Sequence, residues 1–361
     1  MSEGVKNYKC PSCGAPLRYD AESGEMKCDY CGSSFPKEDI EKIYEAENAE
    51  EKADDTVWNT AGLSDNWGEG SEQLRMYVCP SCGAELITDE TTAATSCPYC
   101  GNNAIIPGKL SGVMKPDYII PFRTTKEEAI EALKNHYRGK ILLPKAFKKE
   151  NHVQEIKGIY VPFWMYSGEA EADCIYHTTR SITTTEGDYR VTRTSHYHVR
   201  RKGSLSFSKV PVDASKKMPD DLMDSIEPFD YEELKGFSLM YLPGFLADKY
   251  DESAEDCAAR ADERCRNSAI GAMRASVFGY QTVVPIRERV YLRRGDVAYA
   301  LLPVWLLTTQ WRGKTYMFAM NGETGKMIGD LPINIPKAVL LAAVIYIVVF
   351  VIVWFIIGGI V

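Results

Sequence analysis

Eight of the eleven cysteines in this 361-residue chain fall into four Cys-x-x-Cys pairs, and the pairs are themselves paired. Cys10 and Cys13 precede Cys28 and Cys31, and Cys79 and Cys82 precede Cys97 and Cys100, with fourteen residues between the two pairs of each set. A Cys-x-x-Cys turn closed by glycine aims two thiolates and nearby backbone N–H groups at one point, the glycine taking the positive φ that other residues resist. Two such turns supply four sulfurs. Four thiolates saturate a tetrahedral zinc ion and leave no position for water. Cys10, Cys13, Cys28 and Cys31 are therefore expected to hold one structural Zn2+, and Cys79, Cys82, Cys97 and Cys100 a second. The same sulfurs would accept a rubredoxin-type iron, whereas a redox dithiol needs a thioredoxin-like βαβ setting that is missing here. Cys174, Cys257 and Cys265 read as ordinary buried thiols.

The segments that position these cysteines repeat. CPSCGAPLRYDAESGEMKCDYCG from Cys10 and CPSCGAELITDETTAATSCPYCG from Cys79 align without a gap at an offset of 69 residues. In each, a short hairpin fits between the knuckles, with Leu17 to Tyr19 and Met26 to Lys27 as arms in the first copy, and Leu86 to Thr88 with Ala94 to Ser96 in the second. Segments this small bury too little surface to fold alone, so the metal supplies most of their folding free energy, on the order of 10 kcal/mol. The chain divides on this basis into a zinc ribbon at 1–40, an acidic linker at 41–75, a second ribbon at 76–108, a body at 109–335 and a membrane helix at 336–361.

The body reads as mixed and β-rich, giving an α+β fold class overall. Thr125 and Glu128 form a capping box ahead of a helix whose Ala129, Ile130, Leu133 and Tyr137 share a face, with Gly139 as its stop. A second helix carries a stripe of small residues, Ala254, Cys257, Ala258, Ala261, Cys265, Ala269 and Met273, suited to close packing against a sheet or another helix. Tyr189, Val191, Tyr197 and Val199 alternate with polar residues, and Glu186-Gly187-Asp188 is a hairpin turn back to the preceding strand. His196 and His198 share one face of that strand, a pair of metal-ligand type with no third ligand in view. Pro-x-Trp opens an apolar strand at Trp164 and again at Trp305, and Asn321-Gly322 marks a tight turn.

From Ala338 to Val361 the chain carries no charge, and 17 of those 24 residues are Val, Ile, Leu or Phe. As a helix this segment is about 36 Å long, enough to cross a bilayer. The polar opening MSEGVKNYKC is unlike a secretory signal. Thiolates kept for metal require a reducing compartment. The expected placement is thus single-pass in the cytoplasmic (inner) membrane, with the N-terminal body in the cytoplasm and the lipid bilayer as one partner.

Charge then separates the remaining function classes. The chain has 42 Lys+Arg against 50 Asp+Glu, and residues 76 to 108 hold three acids and no Lys or Arg. Non-specific nucleic-acid affinity comes from cationic contacts to phosphate, so these ribbons are better suited to protein than to nucleic acid. Trp58 and Trp67 in the acidic linker are candidate anchors for such a partner, or else pack on a ribbon. The stretch 176 to 217 is basic, with nine Lys+Arg against three acids, and reads as a solvated sheet face or as a contact for anionic lipid or an acidic partner. No GxxxxGK[ST], HExxH, GxSxG or GxGxxG occurs, and a non-enzymatic role is expected.

With both CPSCG knuckles, TTAATSCPYCGN at Thr91 to Asn102, VPFW at Val161 to Trp164, YLPGFLADKYD at Tyr241 to Asp251, FAMNGETGK at Phe318 to Lys326 followed by GDLP, and the apolar tail, the chain resembles bacterial membrane-anchored proteins with a TFIIB-type zinc ribbon. Some members of that family carry a primosomal, replication-restart helicase label. Others are encoded beside phage-shock protein A and SPFH-type proteins of the envelope-stress response. The resemblance implies a tail-anchored scaffold whose ribbons recruit a protein partner of that kind; the alternative is a membrane-tethered zinc ribbon that binds nucleic acid in replication or transcription.

Overall fold

A computed structural model describes residues 8–48, 54, 56–64, 67, 74–89, 92, 96–103, 106–108, 113–150 and 155–358. It is α+β, with a β-rich body, two four-cysteine clusters and one apolar C-terminal helix. The compact units interleave along the chain instead of following its linear order. One gathers Met1–Asn59, Tyr166–Val210 and Ala258–Asp296; the other gathers Thr60–Met165, Pro211–Cys257 and Val297–Val361. The cause is three long strands, Lys157–Glu186, Tyr189–Asp213 and Thr282–Trp311, each of which contributes residues to both units.

In the first unit the N-terminal ribbon is a three-stranded antiparallel sheet of Arg18–Asp20, Glu25–Lys27 and Ser34–Pro36, with Met26 paired between Tyr19 and Phe35. The helix Lys37–Asn48 follows directly and buries Ile40. Strands Lys157–Glu186 and Tyr189–Asp213 meet at a turn in which Gly187 takes φ +62°. Near that turn Ile182, Tyr189, Val191 and Tyr197 are all exposed, so the alternation expected to bury one face does so only further along, at Val199. The helix Ala258–Ala275 lays Cys265 and Ala269 on Ala170, Ala172 and Cys174 of the sheet. Small side chains on both surfaces let helix and sheet approach closely. Gly168 and Gly295 serve the same purpose between strands, since a Cβ on either would collide with the facing backbone.

The second unit is built on a mixed sheet. Its order runs from Lys235–Gly236 through Tyr118–Ile119, Thr282–Trp311, Lys157–Glu186, Leu246–Asp248, Glu85–Asp89 and Leu74–Val78 to Ile106–Gly108. The hairpin strand Lys314–Asn321 pairs along Val304 to Trp311. Thr125 and Glu128 form the expected capping box on helix Lys126–His136, whose Ala129, Ile130 and Leu133 are buried. The Trp164 indole donates to the Glu252 carbonyl and the Trp305 indole to the Thr124 hydroxyl, which satisfies both Pro-x-Trp rings inside the core. Asn321 is fully buried; its amide donates to the Ile226 and Pro228 carbonyls while its oxygen accepts from the Glu323 and Thr324 N–H groups. Asn334 caps the last helix, Ile335–Gly358, by accepting from Lys337 N–H.

Candidate metal centres

All four knuckles have one local geometry. The glycine N–H donates to the carbonyl of the first cysteine: Gly14 to Cys10 at 2.8 Å, Gly32 to Cys28 at 2.9 Å, Gly83 to Cys79 at 2.8 Å and Gly101 to Cys97 at 3.0 Å. Each of these glycines sits at φ between +70° and +76°. The first cysteine's own N–H is returned to the chain beyond the glycine, as from Cys79 to the Ala84 carbonyl at 2.8 Å. The turn therefore holds both thiols of a pair on one side, with backbone N–H groups left to face sulfur.

The structure brings the predicted ligands together in their two sets. Within each set the four Sγ atoms lie within 4.8 Å of one another. A zinc–sulfur distance of about 2.3 Å in a regular tetrahedron places its sulfurs about 3.8 Å apart. Cys10 and Cys31 stand at 3.7 Å, Cys13 and Cys28 at 3.5 Å, Cys79 and Cys100 at 3.6 Å, and Cys82 and Cys97 at 3.6 Å. These separations suit a shared ion and are far beyond a disulfide bond. All eleven cysteines are free thiols. In the first set the Ser33 hydroxyl and backbone draw the Cys31 thiol down to about 6. In the second, burial opposes ionisation of Cys79, but N–H groups of Cys82 and Ser81 outweigh it and bring that thiol to about 7. Two Zn2+ ions fit these two donor sets, and each would hold its hairpin closed.

The settings of the two centres differ sharply. Cys79 and Cys97 belong to the main core of the second unit, beside Leu86, Val161, Phe163 and Met165. The ribbon's strands are sheet members as well: Glu85–Asp89 pairs with Leu246–Asp248 on one side and with Leu74–Val78 on the other. The Lys157 ammonium donates to the Ser96 carbonyl and hydroxyl and lies near Cys97; burial lowers its pKa, and Cys97 acts against that shift. By contrast Cys13 and Cys31 are exposed, and among the described residues the first ribbon's sheet contains only its own three strands. The hairpin arm expected at Ala94 to Ser96 falls mostly outside the described residues.

Three features escaped the sequence. Asp248, 149 residues from Tyr99, accepts from the Tyr99 hydroxyl at 2.5 Å and from the Ser215 hydroxyl at 2.7 Å. Trp58 and Trp67 are committed within the chain: the Trp58 indole donates to Asp262 and packs on Tyr166, and the Trp67 indole donates to the Val113 carbonyl and packs on Phe237. His177 stacks on His196 across the hairpin. The Gly187-Asp188 turn was the signal for the last of these, because it sets the register that places residue 177 opposite 198.

Two closed thiolate centres on glycine-ended knuckles make this chain a zinc-ribbon protein, and a family model described as Trm112p-like protein matches residues 9–39, the first centre and its hairpin. Over 339 residues, 92% of each sequence, the chain is 36% identical to the Bacillus subtilis (strain 168) protein named uncharacterized protein YdjG, and it belongs to that protein's family. No solved structure matches it significantly.

Proposed function

We propose that this protein is a non-enzymatic membrane adaptor, anchored by its C-terminal helix in the cytoplasmic membrane with the body in the cytoplasm, whose first zinc ribbon recruits a protein partner. The observation that carries the reading is a comparison of two equivalent tyrosines. Tyr30 and Tyr99 occupy the same place in the second knuckle of their ribbons, 69 residues apart. Tyr99 is 5% exposed and its hydroxyl is held by Asp248, whereas Tyr30 is 87% exposed. The second ribbon is thus built into its own unit through this face, and the first presents the matching face to solvent. Aromatic side chains of this kind commonly dominate protein interfaces. Tyr19, also exposed, widens the surface.

The helix Ile335–Trp354 supports the anchor: it has a mean hydropathy of 2.7 and none of it is buried within the protein. The partner class is taken from the resemblance to proteins encoded with phage-shock protein A and SPFH-type proteins, and a role in an envelope-stress response is part of this proposal. The test is a crosslinked pull-down from membranes that compares the intact protein with Tyr30→Ala. Loss of the partner from a variant that still carries both ribbon zinc ions and still sediments with membranes is the expected result. Equal recovery from both proteins would remove the first ribbon from recruitment.

A further inference from the structure

Three of the chain's five histidines lie on one face of one strand pair. His196 and His198 are two apart on Tyr189–Asp213, and His177 lies on the antiparallel neighbour Lys157–Glu186. Hydroxyl contacts between Thr183 and Thr192 and between Ser181 and Thr194 fix the register, which sets His177 opposite His198 and diagonal to His196. The His177 Nε2 and His196 Nδ1 atoms are 3.1 Å apart, and the His177 and His198 rings are centred 6.0 Å apart. Donors bound to one tetrahedral ion at about 2.05 Å would stand about 3.3 Å apart, close to the separation of this hydrogen-bonded pair, so an ion taking the place of the shared proton needs little change in spacing.

His198 is the third ring of the cluster, facing His177 across the strand pair. Both of its ring nitrogens are shielded from solvent; the Pro11 backbone makes a weak hydrogen-bond contact with the ring, and no side chain among the described residues bonds either nitrogen. An imidazole in that condition is costly unless something binds it. His177 and His198 border a cavity of about 570 Å³ shared with Cys10, Ile40, Tyr44 and Arg287. Burial, together with the charges of His196 and His198, keeps His177 below the ordinary histidine range, and burial does the same for His198. Neutral imidazoles are the form that binds metal.

We propose that His177, His196 and His198 form a third metal site, separate from the two cysteine centres, that takes a divalent transition ion such as Zn2+ with its fourth position open to the cavity. Three nitrogen donors from facing strands suit zinc, copper or nickel better than calcium or magnesium, which prefer oxygen. Unlike the cysteine centres, this one leaves a position for water.

Metal content tests it. The full-length protein in detergent micelles, equilibrated with excess Zn2+ and then freed of unbound metal, is expected to hold three ions per chain. His177→Ala and His196→Ala are each expected to hold two, with affinity at the third site at least tenfold weaker, while His136→Ala keeps three, because His136 is bonded to the Gly329 carbonyl elsewhere in the fold. Cobalt at the third site should give an absorption spectrum without the thiolate-to-metal band that ribbon cobalt shows. His196 is exposed, so His196→Ala carries the test if His177→Ala loses its ribbon zinc. Two ions in the wild type, three in a correctly folded His196→Ala, or a thiolate band from the third ion would each overturn the proposal.

Discussion

The Tyr99 hydroxyl donates to Asp248 Oδ2 at 2.5 Å in a setting where both side chains are buried, so a residue between two zinc ligands is fastened to the strand that lies beside its ribbon. Asp248 also accepts from Ser215, and burial pushes its carboxyl up to about 7 despite both donors. An unfolded aspartate titrates near 3.9. Between about pH 4 and 7 the folded chain therefore keeps a proton that the unfolded chain has lost, and this group makes stability fall as pH rises through that window. Above pH 7 both states are ionised and the penalty stays constant. Asp248→Asn, which can still accept both hydroxyls, is expected to remove the slope and to gain up to a few kcal/mol at pH 8, at about 1.4 kcal/mol per unit of displacement. Denaturant titrations of both proteins from pH 6 to 8 measure the difference, in which the pH dependence of zinc binding cancels. A wild-type slope unchanged by the substitution would count against the buried proton.

The two zinc centres should fail differently. Cys79 and Cys97 lie in the main core of the second unit with Leu86 and Phe163, and the Glu85–Asp89 strand is hydrogen-bonded on both edges. Cys79→Ser removes a ligand and breaks a site whose binding energy, on the order of 10 kcal/mol, is also folding energy. Loss of cooperative unfolding of the second unit is expected. Cys13→Ser strikes an exposed knuckle in a sheet of three short strands, and the second unit should keep its transition while the zinc held by the two ribbons falls by one ion. Zinc content and thermal unfolding followed together distinguish these outcomes; similar unfolding in both variants would contradict the contrast in burial.

Local chemistry was what the sequence exposed most clearly. The cysteine spacing, the Thr125 capping box, the Gly187 turn and the uncharged tail are each determined within about twenty residues, and each stands where expected. What pairs with what over longer distances was hidden. Leu86, Ile87 and Thr88 are all buried, which happens only when both faces of a strand are covered, and nothing in a ribbon motif announces the body strand at Leu246–Asp248 that pairs with it. The tryptophans of the acidic linker invited an interface reading because their neighbours are polar. Their indole N–H groups instead find Asp262, 204 residues away, and the Val113 carbonyl. His177 was readable in principle, since counting back from the hairpin turn brings it opposite His198.

The linker also supplies a charge that the fold uses. Asp54 accepts from Arg266 and Arg294, and Arg294 is further bonded to Asp262 and the Thr56 carbonyl. These groups are mostly buried, so removing one leaves a desolvated partner behind. Asp54→Ala is expected to destabilise the first unit by about 2 kcal/mol, while Asp54→Asn, which keeps an acceptor, costs less. Chemical denaturation of the three proteins checks the order; equal stability would mean that the linker only lies along the surface here.

The C-terminal helix permits a test that separates anchoring from folding. Its side chains from Val339 to Trp354 are largely exposed, and Asn334 caps it at the N-terminus, so a chain ending at Asn334 loses no core contact of the body. The 17 aliphatic and phenylalanine residues between 338 and 361 together favour insertion by about 5 to 10 kcal/mol, at roughly −0.3 to −0.6 kcal/mol each. One aspartate at the centre opposes this by about 3 kcal/mol, which is less than the sum. Val348→Asp should therefore still sediment with lipid vesicles, Val348→Asp combined with Val344→Asp and Ile352→Asp should stay largely in the supernatant, and the chain truncated at Asn334 should do so completely. All three should retain both ribbon zinc ions. Sedimentation of the truncated chain would show that another surface holds the protein to lipid, and the exposed basic hairpin around Arg190 and Arg193 would then be the first place to look.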